Sequence, residues 1–128
     1  MADLALHHLA FRTTAVERLA RFYREVVGLP ERSGGTAGRS VWLTLGDAIV
    51  MIEAADEGEV VVPAGTKELV AFRVAPSEMA HVRQRLQQAG IALEAETRFT
   101  IYARDPDGRR VAFSHYPEAP LEPECAPR

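Results

Sequence analysis

Apolar and polar residues alternate along this chain in an order that occurs twice. Residues 8–13 (HLAFRT) and 69–74 (LVAFRV) carry nearly the same phrase, and their period-two alternation predicts a strand at the start of each half. A stretch with helical spacing follows each strand and ends at a glycine, Gly28 or Gly90. Such a repeat predicts two copies of one supersecondary unit, each too small to bury its apolar face alone.

Turn residues divide the remainder of each half into shorter strands. Gly46 and Asp47 separate two strand-like stretches, 41–45 and 48–54, and predict a hairpin. In the second half, the sequence Asp-Pro-Asp-Gly at 105–108 predicts a turn before a final strand. Its two aspartates are expected to accept backbone hydrogen bonds rather than to bind metal. Each half is therefore expected to contain a strand, a helix and three further strands.

The first helix has a predicted start and a predicted buried face. Residues Thr14 to Glu17 have the spacing of a capping box, in which a hydroxyl and a carboxylate satisfy the first free amides of a helix. Apolar residues then recur at helical spacing, which predicts one face that covers a sheet. The residues of that face are Val16, Leu19, Ala20, Tyr23, Val26 and Val27.

Together these elements predict one α+β domain of two tandem βαβββ modules, covering residues 1–117. Module one extends over about 4–54 and module two over about 67–116, with a linker at 55–66. The prolines that follow predict a flexible tail over 118–128.

Composition narrows the classes of function. The chain has 128 residues with 15 basic and 18 acidic side chains, and the resulting net charge of −3 does not favour nucleic-acid binding. No apolar stretch approaches the length that crosses a bilayer. Its one cysteine, Cys125, cannot form an intramolecular disulfide and is typical of a reducing compartment. We therefore expect a cytoplasmic protein without nucleic-acid or membrane partners.

Three phrases of the sequence carry a resemblance to a known family. They are HLAFR at 8–12, FYREVVGL at 22–29 and DPDG at 105–108. Together, at this spacing, they resemble the vicinal oxygen chelate superfamily of glyoxalases, bleomycin resistance proteins, fosfomycin resistance enzymes and extradiol dioxygenases. The resemblance implies two βαβββ modules whose mixed sheets curl around a cleft, usually completed by dimerisation.

The same resemblance implies where a metal ion would be bound. Metal-dependent members take one ligand from the first strand and one from the last strand of each module. Module one offers His8, with Glu53 or, in a register shifted by two, Met51 as its partner. In module two, Leu69 stands at the position matching His8, and Ala112 at that of the usual glutamate. We therefore expect no metal cofactor; the alternative is a divalent ion held by His8 and Glu53.

Two roles without metal are open to His8 and Glu53. They could be a structural pair that satisfies each other's hydrogen bonds, since buried polar groups rarely lack a partner. They could instead act as a general acid and base, because burial raises the pKa of a carboxyl group. Both roles require the two side chains to lie close together on one face.

The face of the strands opposite the helices is predicted to be largely apolar with a few polar groups, as small-molecule sites are. Trp42 offers a stacking surface for a planar or cationic ligand, or else covers a dimer seam. Arg12 and Arg73 either bind an anionic ligand or remain solvated. The predicted ligand-binding residues are His8, Trp42, Met51, Glu53, Leu69, Tyr102, Ala112 and Ser114.

These observations favour a homodimeric protein that binds a small molecule in a metal-free, largely apolar cleft, with drug sequestration as one form of that role. The alternative is a metal-dependent lyase, isomerase or dioxygenase that uses His8 and Glu53. Whether the chain is an enzyme stays open at this point, because one fold hosts many chemistries.

Overall fold

The computed structural model describes residues 3–118 and divides into two compact units between Pro63 and Ala64. This boundary falls in the predicted linker. Only the first residue of the predicted tail is described, so the prediction for residues 119–128, with Cys125, lies outside the described residues. Among the described residues, no helix combines the length and apolarity that crossing a bilayer requires.

The first unit contains a four-stranded mixed sheet with the order β1-β4-β3-β2. The first strand is parallel to β4, whereas the other neighbours are antiparallel. The strands are β1 (His8–Thr13), β2 (Glu31–Arg32), β3 (Ser40–Leu45) and β4 (Ala48–Ala54). The predicted hairpin at Gly46 and Asp47 is confirmed by the antiparallel pairing of β3 with β4.

The helix of the first unit begins differently from the prediction. Helix α1 (Val16–Arg21) follows Ala15, and no side chain caps its first turn. The Oγ1 of Thr13 accepts a hydrogen bond from the Ala15 amide at 3.0 Å, so the chain turns one residue before the predicted capping box. The capping box at Thr14 is therefore wrong, and the carboxylate of its predicted partner binds an arginine instead.

A wider helical turn follows α1 and ends at the predicted glycine. Residues Phe22–Val27 form a π-helical segment, in which the Gly28 amide donates to the Tyr23 carbonyl five residues earlier. Gly28 has a φ of 96°, a left-handed conformation that glycine adopts without steric cost. The predicted end of the first helix is confirmed.

The second unit repeats the sheet order of the first, as β5-β8-β7-β6 with β5 parallel to β8. A 3₁₀ turn at Pro76–Glu78 leads into helix α2 (Met79–Gln88). The strands are β5 (Leu69–Arg73), β6 (Ala95–Glu96), β7 (Thr100–Arg104) and β8 (Arg110–Ser114). The prediction of two βαβββ modules with mixed sheets is thereby confirmed.

Each unit has an apolar core between its helix and one face of its sheet. In the first unit the rings of Phe11 and Tyr23 meet at 5.2 Å, and in the second those of Phe72 and Phe113 stack at 5.7 Å. Alternate strand residues supply the sheet side of both cores. The buried strand residues include Phe11, Leu43, Val50, Ile52, Phe72, Ile101, Ala103, Val111 and Phe113. The opposite face of each sheet, here called its open face, carries no helix of its own unit.

Charged residues attach the start of the predicted linker to the first sheet. The guanidinium of Arg12 donates to both carboxylate oxygens of Glu59, at 3.0 and 2.9 Å, and to Glu53 at 3.3 Å. The Asp56 amide also donates to Glu59. The Arg12 hydrogen bond, followed by the Asp56 amide, lowers the pKa of Glu59 to about 2. The segment that contains Asp56 and Glu59 is therefore fixed to β1 by ion pairs.

Replacing Glu59 by glutamine should lower the melting temperature of the protein at neutral pH. The folded-state pKa of Glu59 lies below its ordinary value of 4.5, so its stabilisation is complete above that value and disappears as the pH falls towards about 2. Thermal melts of wild type and Glu59→Gln across this range measure the difference. Glu57→Gln, at an exposed neighbour, is the control; a pH-independent difference for Glu59→Gln would contradict the ion-pair account.

The turn before β8 is built on a buried carboxylate. One oxygen of Asp105 accepts hydrogen bonds from the amides of Asp107 and Arg109, at 2.9 and 3.0 Å, and the other binds the Arg109 guanidinium at 2.9 Å. Asp105 is only 4% exposed. The prediction that Asp105 accepts backbone hydrogen bonds in this turn is confirmed.

The variant Asp105→Ala should lower the free energy of unfolding by about 3 kcal/mol, because buried amides and a guanidinium lose an acceptor. Urea denaturation measures this change. The control Asp47→Ala, in the exposed hairpin turn of the first unit, should stay within about 0.5 kcal/mol of wild type. Equal unfolding midpoints for the two variants would refute the structural role of Asp105.

Candidate functional site

The strand register places the predicted site residues of the first unit on the open face in three rows. His8 is beside Ile49, Ala10 beside Met51, and Arg12 beside Glu53. On β3, Trp42 is opposite Met51. Neither Met51 nor Glu53 therefore shares the row of His8, so neither register that the sequence left open for its partner is the observed one. The rows are His8, Ile49 and Thr44; Ala10, Met51 and Trp42; and Arg12, Glu53 and Ser40.

His8 and Glu53 share this face but do not form a pair. Glu53 lies four residues beyond Ile49, the partner of His8, which separates the two by about 13 Å along the strands. Glu53 instead accepts a hydrogen bond from Arg12 at 3.3 Å. The two hypotheses that join His8 to Glu53, a structural pair and an acid–base pair, are therefore wrong.

His8 lies at the exposed beginning of β1 and contacts the neighbouring histidine. Its Nδ1 is 2.9 Å from the Nδ1 of His7, and the two rings meet edge to face. One of the two nitrogens must carry the proton of this hydrogen bond and the other must be unprotonated. The exposure of His8 leaves its ring open to solvent or to a ligand.

Carboxylates occupy the guanidinium of Arg12 on this face. Glu59, Glu53 and Asp56 all lie within 3.5 Å of it, and the Glu59 hydrogen bond raises the pKa of Arg12 further above its ordinary value. An anionic ligand would have to displace these carboxylates. Of the two roles predicted for Arg12, binding an anion is disfavoured by these contacts.

Trp42 rests against a glycine-rich loop that precedes β3. A side chain at Gly34 would overlap the indole ring, and Gly34 has a φ of 129°, so both space and backbone conformation require glycine there. A cavity of about 440 Å³ extends beside the ring. The sequence did not predict this cavity, although the glycine-rich stretch before β3 indicated a loop with little side-chain bulk next to Trp42. Its lining includes Glu17, Glu31, Arg32, Gly34, Ser40 and Trp42.

The open face of the second unit also has three rows, and it carries the other predicted residues. Ser114 and Thr100 exchange a hydrogen bond between their hydroxyls at 2.7 Å. Leu69 is 38% exposed, whereas Ala112 is only 1% exposed. The rows are Leu69, Arg110 and Arg104; Ala71, Ala112 and Tyr102; and Arg73, Ser114 and Thr100.

An ordered group of charged and aromatic side chains lies on this second face, and sequence reasoning missed it. The guanidinium of Arg110 lies over the ring of Tyr102 at 4.3 Å. Glu94 accepts hydrogen bonds from Arg110 at 2.7 Å and from Arg104 at 2.8 Å. The Arg104 and then the Arg110 hydrogen bond lower the pKa of Glu94. The sequence did contain one signal of this contact. Tyr102 and Arg110 stand on either side of the predicted turn at a spacing that makes them diagonal neighbours on adjacent strands.

The residues of neither open face fit a divalent metal ion. Ligands lie about 2 Å from an ion, which the separation of His8 from Glu53 does not allow. At the corresponding positions of the second unit, Leu69 and Ala112 have no donor atoms. Residues 3–118 contain no group of three or more His, Cys, Asp or Glu side chains arranged to hold an ion.

Comparison with known proteins agrees with this architecture. The model of the Glyoxalase/Bleomycin resistance protein/Dioxygenase superfamily matches residues 5–113. The glutathione transferase FosA of Serratia marcescens is 29% identical over 112 residues, covering 84% of this chain and 77% of that protein.

Solved structures with the same fold are more distant in sequence. The lactoylglutathione lyase of Agrobacterium tumefaciens has a TM-score of 0.68 at 20% identity, over 89% of this chain and 95% of its own. A second structure is a mutant of the fosfomycin resistance protein FosX of Listeria monocytogenes, complexed with manganese(II) and a dihydroxypropylphosphonic acid. It has a TM-score of 0.71 at 15% identity, over 90% of this chain and 91% of its own. At these identities the likeness shows the fold. Because the family model matches residues 5–113, the chain belongs to the Glyoxalase/Bleomycin resistance protein/Dioxygenase superfamily.

Proposed function

We propose that this chain binds a small molecule on the open faces of its sheets without a metal ion held by His8 and Glu53. The observation that carries the proposal is the loss of donor atoms at Leu69 and Ala112, together with the separation of His8 from Glu53. A member of the superfamily with this set of side chains must recognise its ligand through apolar contact, hydrogen bonds and charge.

The middle row of the first open face supports this proposal. Ala10, Met51 and Trp42 are neighbours on adjacent strands and form an apolar strip. The strip ends at an ion-pair cluster on one side and at His8 on the other. A mostly apolar surface with a few orienting polar groups is typical of small-molecule sites. The ligand-binding roles of these residues belong to the proposal.

A metal-dependent enzyme is the second candidate, and the relatives favour it. One relative is named a glutathione transferase, and the FosX mutant was solved with manganese(II). A lyase, isomerase or dioxygenase of this kind would need ligands other than the pair of His8 and Glu53. The fosfomycin resistance of FosX also supports a drug-like ligand for a binding protein, and hence a sequestering role.

We expect the untagged protein to purify without a stoichiometric ion and to show no micromolar binding of Ni²⁺, Zn²⁺, Mn²⁺ or Fe²⁺, because too few donors converge. Metal analysis and titration calorimetry measure this. Binding that His8→Ala abolishes and the exposed control His81→Ala preserves would overturn the proposal in favour of a metalloenzyme.

We also propose a cytoplasmic homodimer; a single monomeric species in sedimentation at micromolar concentration would contradict the dimer.

Ligand binding should change the fluorescence of Trp42, which is the only tryptophan in the chain and therefore gives an unmixed signal. A panel of small aromatic and cationic compounds is the screen. For a compound that binds, Trp42→Ala should weaken affinity by about tenfold, because a stacking surface is lost. Calorimetry measures the affinity, and circular dichroism checks the fold. Unchanged affinity in a folded Trp42→Ala protein would remove Trp42 from the site.

A further inference from the structure

We propose that the open face of the second sheet binds a planar carboxylate anion, with Arg110 as its anchor. This inference rests on the proposed function and adds to it the chemical class of the ligand and the residue that selects it. Three features of this face favour such a ligand: the fixed orientation of Arg110, the charge around it and the apolar surface next to it.

Arg110 is held in one orientation on two sides. Its Nε donates to Glu94 at 2.7 Å, and the central carbon of its guanidinium lies over the Tyr102 ring, 4.3 Å from the ring centroid. Its side chain is only 15% exposed. Within residues 3–118, the two terminal amino groups of this guanidinium make no hydrogen bond. A fixed guanidinium with both amino groups available matches the two oxygens of a carboxylate.

Positive charge exceeds negative charge on this face. The three rows carry the guanidinium groups of Arg73, Arg104 and Arg110, and the carboxylate that reaches them is that of Glu94. The first open face differs, because three carboxylates surround Arg12 there. A second negative charge beside Arg110 would therefore meet net attraction, whereas a cation would meet repulsion.

An apolar surface adjoins the anchor. Leu69 is the direct neighbour of Arg110 in the register and is 38% exposed, and Ala71 follows on the same face of β5. Ala71 is exposed and has a small side chain, which leaves space above the strand. The next residue on this face, Arg73, lies about 7 Å further along. A ring lying on Leu69 and Ala71 would direct its carboxylate to Arg110.

The test uses three probes of the same shape and different charge: benzoate, benzamide and benzamidinium. We expect benzoate to bind at least about tenfold more tightly than benzamide, since it gains charge-assisted hydrogen bonds, and benzamidinium to bind least. Nuclear magnetic resonance titration of the full chain measures all three affinities. The Nε–H signal of Arg110 should shift with benzoate, and that of Arg83 should not.

Variants of Arg110 test the anchor. Arg110→Gln should remove the preference for benzoate over benzamide, and Arg110→Lys should restore part of it, because lysine keeps the charge but not the planar pair of donors. Arg83→Gln is the matched control: Arg83 also pairs with a glutamate of the second unit, Glu96, but it extends from helix α2. Thermal melts establish that each variant is folded.

The outcomes separate this inference from the proposed function. Equal binding of benzoate and benzamide, or a benzoate preference that survives Arg110→Gln, would overturn the carboxylate site and leave a small-molecule protein of another specificity. Loss of the preference in Arg83→Gln as well would also overturn it. Failure of all three probes would remove the carboxylate site, and the proposed function would fall only if the Trp42 screen were negative too.

Discussion

The parallel pairing of the first and last strand in each unit determines most of this structure. Pairing β1 with β4, and β5 with β8, puts the first and last strands of each unit side by side at one end of its sheet. Two parallel neighbours need a long connection, and here that connection contains the helix, which covers one face of the sheet, and the two remaining strands. The other face is left to the alternate residues, and those residues are the ones available for function. The register of this pairing also sets the distance between any two of them.

The sequence was sufficient to predict the modules and the faces, because both follow from period and turn chemistry. The repeated phrase at residues 8–13 and 69–74, the end of the helix at Gly28 and the hairpin at Gly46 all depend on local interactions. Alternation likewise predicted that His8 and Glu53 share a face. Alternation does not give register, however, and the separation of the two by four residues could not be read from it.

Interactions that join distant segments were the ones missed. The Thr13 hydroxyl competes with the predicted capping box one residue earlier, and nothing in the spacing of the box reveals that competition. Glu59 lies in a segment predicted as linker, yet it reaches back to Arg12 on the first strand. The pairing of Glu94 with Arg104 and Arg110 depends on where a loop residue lies beside a hairpin. Such contacts are set by tertiary geometry rather than by residue pattern.

The two units keep one architecture but carry different chemistry on their open faces. In the first, carboxylates surround the arginine; in the second, one carboxylate is shared by two arginines. Such a combination is possible because the core residues determine the fold, whereas the residues on the open face can differ without altering it.

The contact between Gly34 and Trp42 has a consequence for how this sequence can evolve. Because the indole fills the space where a side chain would begin, and because φ at Gly34 is positive, every single replacement of Gly34 is strained while Trp42 remains. A smaller residue at position 42 would remove the steric conflict but not the conformational one. In an alignment of orthologues, the glycine should therefore be retained even where the tryptophan varies, and a change at Gly34 should accompany a remodelled loop.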